Sequence, residues 1–493
     1  MYVEDLKKDF YNLLVGKRIL LLVNYDVDAI CACKILLHLF HFENILYTLV
    51  PVQGVKDLQD AFEANTEVNY VIFLNCGGTI DVVDALQPEE DVVLFIADSH
   101  KPTDVCNVYN NRQVRLLGKP DDDENIPPFE DIFQEDETDD EGVESEGDGA
   151  GDEDESRANK RRRMDEGAIM KRRERRLWEE KRNRTGEDEE QLNTAVRITY
   201  DKDLQLALYR HWTVEASLKN SSYTACKLKL WTLRGEKRLF ELLAEMGLPL
   251  AQSRQKFRAM DLALRHEFHS MVEKQADKYG MTNIVYASFT LQFGFGNCYC
   301  ASDVVYAMLA LLEASTKGSS SCERFMTAMD CLSRQKKGML DDGIDKAKLV
   351  LICIFKQVQN LLDMKQVVSA GPFVYVILQE GSLDVKPFSH PHCLTLLAQF
   401  ALRAYVATSR NRKAPNLPII ASAPLDVEDG TCLVVGLPPV SEDSPKNFFG
   451  KAFEQAAEET HSRVALDFFD SSVMQLKVDD RPKFFDALIS LLA

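Results

Sequence analysis

Strand-length apolar runs alternate with helical stretches through residues 1–118, and this alternation limits the fold more than any other feature of the chain. Arg18–Asn24 reads as a compact apolar strand, and Ile30–Phe40 as a helix with Ile30, Leu36, Leu37 and Phe40 to bury. Strands follow at Tyr47–Val52, Tyr70–Leu74 and Val92–Ala97, with a helix at Lys56–Ala64. The order β-α-β-α-β-x-β predicts a parallel, doubly wound α/β sheet. Ligands of such sheets bind beyond the carboxyl ends of the strands. Asp26-Val27-Asp28, Asn75-Cys76-Gly77-Gly78 and Asp98-Ser99-His100 all stand at strand ends. One rim therefore gathers carboxylates and an imidazole, the donors that hold divalent cations and activate water on a phosphate.

The composition changes abruptly beyond this region. Asp121–Ser156 carries 19 Asp and Glu and no Lys or Arg, within a chain of net charge −20. The rest is nearly neutral, so global charge excludes no class of partner. Self-repulsion and low apolar content predict a disordered linker here. Inside it, Phe129, Ile132 and Phe133 form a short apolar motif, which is either a domain edge or a docking peptide for a basic groove. Arg157–Arg184 reverses the sign, with 13 Lys and Arg against 5 acids. Its clusters, Lys160-Arg161-Arg162-Arg163 and Lys171-Arg172-Arg173-Glu174-Arg175-Arg176, form a nuclear-import candidate or, with the glutamates interleaved, a solvated helix.

Leu204–Val358 reads mainly as helix. Leu239–Met246 is stopped by Gly247 and Pro249, Lys256–Tyr279 is amphipathic, and Ala301–Ala314 has Ser302 as its expected N-cap. Phe289–Phe295 reads as a strand and Ser315–Ser321 as a polar loop. Mixed α/β character returns with strands at Phe373–Leu378, Leu417–Ala423, Cys432–Leu437 and Val473–Val478, and helices at Cys393–Val406, Phe448–Val464 and Lys483–Leu492. The expected domains are 1–120, a linker over 121–195, a helical insertion over 196–365, and a second α/β domain over 366–493.

No run approaches the roughly 18–20 apolar residues of a membrane helix. The opening MYVEDLKKDF places charges where a signal peptide needs an apolar stretch, so an intracellular protein is expected. The 12 cysteines include no C-x-x-C pair and read as reduced and buried, not as a disulfide or zinc framework. His266 and His269 lack an apparent third ligand and read as an exposed helix face. His390-Pro391-His392 reads as the structural start of a helix. Thr138 and Ser145 suit an acid-directed kinase. Lys336-Lys337 and Arg410–Lys413 are too small to argue for DNA binding alone.

The rim motifs resemble those of the DHH phosphoesterase superfamily, the RecJ-like nucleases. Asp26 and Asp28 match its Asp-x-Asp, and Asp98 and His100 match two positions of its Asp-His-His. Asn75 stands where that family has an aspartate, and Ser99 stands in place of its first histidine. A paired-metal site offsets about four positive charges with anionic ligands, and a neutral amide and a hydroxyl fall short of that. The expectation is a vestigial site of Asp26, Asp28, Asn75, Asp98, Ser99 and His100, with no catalytic residue, no metal and no cofactor. The alternative is a metal-dependent phosphoesterase or single-strand exonuclease with Asp26, Asp28, Asp98 and His100 as ligands.

A longer resemblance runs through DVDAICACKIL, LQPEEDVVLFIADSH, MGLPLAQSRQKFRAMD, FGFGNCYCASDVV and KNFFGKAFEQAAEETHSR. These segments resemble the eukaryotic cell division control protein forty-five family, the RecJ-related subunit of the CMG replicative helicase. The resemblance implies a RecJ/DHH-like sheet domain, a helical insertion and a C-terminal DHHA1-like domain. It also implies a nuclear, non-catalytic replication factor that joins the Mcm ring and the GINS complex. Other initiation factors, polymerases and weakly held single-stranded DNA are further implied partners. Family members carry several tens of residues more after the position of Arg184, and their absence is expected to leave part of the first domain's apolar surface uncovered. A second competitor is a chaperone of histones or other basic partners built on Asp121–Ser156.

Overall fold

The computed structural model describes residues 2–119, 196–293, 297–314, 320–333, 336–381, 385–441, 447–465 and 467–492. The described residues fall into two units, the first of residues 2–119, 200–290 and the described part of 299–492, the second of residues 196–199, 291–293 and 297–298. The features that position the site all lie in the first.

Its N-terminal part is the expected doubly wound sheet. Strands β1 (Arg18–Asn24), β2 (Leu46–Val52), β3 (Tyr70–Leu74), β4 (Val93–Ala97) and β5 (Val114–Leu116) lie in the order β2-β1-β3-β4-β5. All four pairings are parallel. The strands are apolar along their length because helices cover both faces, and Ile19–Val23 have no exposed surface. The connecting helices are α1 (Val27–Glu43), α2 (Val55–Glu63), α3 (Val82–Leu86) and α4 (Val105–Tyr109). Asp26, Asp81 and Asp104 cap α1, α3 and α4 by accepting first-turn amide protons. Helix α1 leaves Ile35, Leu39 and Phe42 exposed at helical spacing, and Leu46 and Tyr47 are exposed on the edge strand β2.

The middle region is helical but not only helical. Strands at Val196–Leu204 (β6), Val285–Phe293 (β7) and Asn297–Cys300 (β8) interrupt it, with β7 starting four residues before the expected Phe289. The helices used below are α5 (Ala301–Leu312), α6 (Ser321–Asp330) and the long α7 (Lys337–Asp363). Helix α5 begins two residues earlier than Ser302 implies, because the Asp303 carboxylate accepts the Cys300 amide at 2.9 Å and makes Cys300 the N-cap. Ser320 caps α6 through the Glu323 amide, so Ser321 belongs to a helix, while 315–319 lie outside the described residues.

The C-terminal part is a mixed six-stranded sheet, β13-β14-β12-β11-β10-β9. Its strands are β9 (Val368–Ser369), β10 (Val374–Ile377), β11 (Ile419–Asp426), β12 (Thr431–Leu437), β13 (Val464–Ala465) and β14 (Val473–Lys477). Helix α8 (Pro391–Thr408) is the crossover between the parallel pair β10 and β11. Helices α9 (Phe449–Thr460) and α10 (Arg481–Leu492) pack together and share a core with this sheet. The expected helix Phe448–Val464 stops at Thr460, since His461 takes a left-handed φ of 46° and Val464 pairs with Leu476.

One loop from this part, Asp467–Asp470, reaches the first sheet. Phe469 is 2% exposed and belongs to the apolar core of Leu20, Phe73 and Val82. Its carbonyl accepts from the Thr79 hydroxyl at 3.2 Å. Asp467 caps α2, its carbonyl taking the Val55 amide and its carboxylate the Lys56 amide, both at 3.0 Å.

Candidate functional site

A cleft of about 410 Å³ opens at the carboxyl ends of β1, β3 and β4. Asp26, Asp28, Asn75, Ser99 and His100 line it from the first sheet. Leu312, Glu313 and Arg324 line it from α5, α6 and their surroundings, and His390, His392 and Asp470 line it from the C-terminal part.

The rim residues are joined by hydrogen bonds. Asp26 Oδ2 accepts from Asn24 Nδ2 at 2.6 Å and from Asn75 Nδ2 at 2.8 Å, while Oδ1 accepts the Ala29 amide at 2.7 Å. Asn75 sits at a φ of 56°, a left-handed conformation that Asn tolerates. Its Oδ1 accepts from the Ser99 hydroxyl at 2.7 Å and the Ser99 amide at 3.1 Å. Asp98 accepts from the His100 amide at 2.9 Å, from His100 Nδ1 at 2.7 Å and from the Gly78 amide at 2.8 Å. A Cβ on Gly78 would stand 2.8 Å from the Asp98 side chain, so this loop requires glycine.

Electrostatics follow from this geometry. Burial pushes the Asp26 carboxyl above its ordinary value, although the Ala29 amide and Asn75 favour the anion. Burial opposes the charged form of His100, but the hydrogen bond and charge of Asp98 outweigh it and raise its pKa. Asp26 and Asp98 each take three hydrogen bonds from the protein, leaving few lone pairs for an ion. Among the described residues, no group of three or more His, Cys, Asp or Glu side chains is placed to hold a metal ion. The residues present do not fit the paired ions of a phosphoesterase.

The far wall is tied to the rim through Tyr25, at the end of β1. Its hydroxyl donates to the Leu312 carbonyl at 3.0 Å and accepts from Arg324 Nε at 3.2 Å. Its carbonyl accepts from His392 Nε2 at 3.3 Å. The structure thus places Asp26, Asn75 and Ser99 in one hydrogen-bonded chain, with the Asp98–His100 pair beside it and Asp28 exposed on the cleft wall.

The sequence reading missed Tyr25, Glu313, Arg324 and Asp470 as cleft residues. His390-Pro391-His392 begins α8 as expected, and both imidazoles also line the cleft. His266 is exposed, but His269 is half-buried and its Nε2 is enclosed. The candidates Phe129, Ile132 and Phe133, the clusters Lys160–Arg163 and Lys171–Arg176, and Thr138 and Ser145 lie outside the described residues.

A doubly wound sheet with Asp-x-Asp and Asp-x-His at its rim, faced across a cleft by a second α/β layer, defines a two-part α/β protein. The CDC45 family matches residues 19–196 and 180–491, and the chain belongs to that family. It is 39% identical to the human cell division control protein 45 homolog over 571 aligned positions, covering 100% of both chains. The homolog of Schizosaccharomyces pombe is 24% identical, with 96% of each covered. The crystal structure of CDC45 from Entamoeba histolytica superposes with a TM-score of 0.68 at 25% identity, over 100% of both chains. Manganese-bound RecJ from Thermus thermophilus aligns at a TM-score of 0.41 and 12% identity, over 98% of this chain and 53% of its own. The two stretches of the family match meet at 180–196, where the sequence reading expects the absent segment; residues up to 195 there lie outside those described.

Proposed function

We propose that this chain is a non-catalytic DNA replication factor of the nucleus, a subunit that joins the Mcm ATPase ring and the GINS complex to complete the replicative helicase. Membership of the CDC45 family supports the replication role. The observation that carries the non-catalytic reading is the hydrogen-bonded chain Asp26–Asn75–Ser99. In it a neutral amide stands between the carboxylate and the hydroxyl, and the negative charge that paired divalent ions require is missing. The cleft residues then act as structural fasteners between the sheet, α5, α6 and α8. Weak contact with single-stranded DNA and with other replication proteins belongs to the same reading.

Reconstitution tests it. The purified chain, mixed with the Mcm ring and GINS, is expected to give a stable three-part complex with ATP-driven unwinding. The chain alone with manganese and labelled single-stranded DNA is expected to release no nucleotides. Manganese-dependent cleavage abolished by Asp28→Ala would instead establish the phosphoesterase alternative.

A further inference from the structure

Helix α1 is apolar on two sides. One side buries Ile30, Cys33, Leu36 and Phe40. A second side carries Ala32, Ile35, Leu39 and Phe42, all exposed. Their spacing of three, four and three residues is that of a heptad seam, the pattern that seats one helix against another. A helix that is apolar most of the way round is suited to burial between two neighbours, not to a surface. The apolar stripe continues past the end of the helix. Asn44 turns the chain at a left-handed φ of 52°, and Leu46 and Tyr47 follow on the edge strand β2. Ile35, Leu39, Phe42, Leu46 and Tyr47 are between 42% and 71% exposed. The Tyr11 hydroxyl donates to the Leu39 carbonyl at 2.9 Å, so the helical segment Asn12–Leu14, with Leu13 also exposed, borders the stripe. Large apolar side chains grouped in this way mark a contact surface.

The relatives indicate what covers it. The alignment with the human homolog runs over 571 positions, against 493 residues here, with both chains covered in full. Some 78 of its positions therefore have no residue in this chain, a length sufficient for several helices of α1's 17 residues. The family match breaks into two stretches at 180–196, so the unmatched residues belong between the first sheet and the helical middle region. The relative carries there a segment that this chain lacks, and this chain carries, on a helix of the first sheet, a seam left open among the described residues.

We propose that the outer face of α1, with Leu46 and Tyr47, is the seat of a helix from that segment, and that in this chain it docks such a helix from a separate polypeptide. The occupant is amphipathic, with apolar residues three and four apart that mesh with Ile35, Leu39 and Phe42. The inference rests on this surface and on family membership, so assembly with Mcm and GINS can succeed or fail without touching it.

The test uses the full chain and overlapping, helix-length peptides that tile the human homolog's unmatched positions, labelled and followed by fluorescence anisotropy. At least one peptide is expected to bind, and a scrambled peptide of the same composition is not. Leu39→Glu and Leu46→Glu each put a charge into the apolar contact and are expected to weaken binding at least about tenfold. Both side chains are exposed in the chain alone, so neither substitution is expected to lower its thermal midpoint. Leu46→Glu, outside the helix, decides the matter if Leu39→Glu does not fold. Sedimentation of the chain without peptide tests a second copy as the rival occupant. If no peptide binds better than the scrambled one, if binding survives both substitutions, or if the chain is a dimer that Leu39→Glu dissociates, the proposal is wrong.

Discussion

Asn75 donates its side-chain amide to the Asp26 carboxylate across 2.8 Å. Restoring a carboxylate there by Asn75→Asp would put two acceptors face to face in a part-buried position. The left-handed backbone at Asn75 tolerates aspartate, so the effect is electrostatic. A loss of about 1–3 kcal/mol at neutral pH is expected from the lost donor and the like charges. Lowering the pH into the carboxylate range protonates one of the pair and recovers much of that loss. Denaturant unfolding at pH 7.5 and pH 4.5 reads both effects, and equal stability of variant and wild type at both would refute this account of the rim.

The Asp98–His100 pair gives the fold a pH signature. His100 Nδ1 lies 2.7 Å from Asp98, whose side chain is 3% exposed, and the imidazole's pKa is raised above its ordinary value. A folded-state pKa above the unfolded one stabilises the protein fully below the unfolded value, about 6.5 for histidine, and the gain is lost as pH rises through the folded value. The stability gap between wild type and His100→Gln is therefore expected to be widest below about pH 6.5 and to narrow on going alkaline. Asp26 feels the His100 charge as well, so the comparison is read above the carboxylate range, where Asp26 does not add to it. A gap that widens as pH rises would show that the pair is not an ion pair.

What was legible in the sequence is what short-range patterning controls. Ile19–Val23 and Val71–Leu74 announce buried parallel strands because uninterrupted apolar runs need cover on both faces. The rim motifs were legible because strand ends are marked by the runs before them. Strand Val196–Leu204 was not, since its VRITYDKDL is charged and its one neighbour, β7, lies far along the chain. Glu313 and Phe469 were invisible for the same reason. Their partners are 79 and 390 residues away, and nothing local distinguishes a glutamate after a helix or a phenylalanine in DFFD from a solvated loop residue.

Gly54 is where the C-terminal loop fastens to the first sheet. Its backbone is extended, so the constraint is space and not conformation. A Cβ would meet the Asp467 carbonyl at only 2.4 Å, the same oxygen that accepts the Val55 amide. Gly54→Ala is expected to cost about 1–3 kcal/mol by forcing that loop off α2. Asp467→Ala removes the carboxylate cap at Lys56 and is expected to cost about 0.5–2 kcal/mol. Because both break one contact, the double variant is expected to lose less than the two single losses combined. Full additivity in thermal or urea unfolding would mean that the two residues act separately.

A buried ion pair holds the middle region at Asp203, 2% exposed and gripped by the two-pronged guanidinium of Arg210 at 2.8 Å on each oxygen. The Tyr209 hydroxyl and the Leu204 amide add bonds at 3.1 and 2.9 Å. Burial alone would push the Asp203 carboxyl up, but the hydrogen bonds and charge of Arg210 outweigh it and hold the pKa below the ordinary carboxylate value. Arg210→Ala leaves that carboxylate buried and unpaired and is expected to cost about 3–5 kcal/mol at neutral pH. Arg210→Lys keeps the charge but not the fork and should fall between. Since the folded pKa of Asp203 is depressed, the wild type's advantage is present above the unfolded carboxylate value and fades as pH falls through the folded one. Adding Asp203→Asn to Arg210→Ala removes the stranded charge and is expected to restore part of the loss. If it restores none, the cost of Arg210→Ala arises from lost packing of the arginine stem and not from an uncompensated carboxylate.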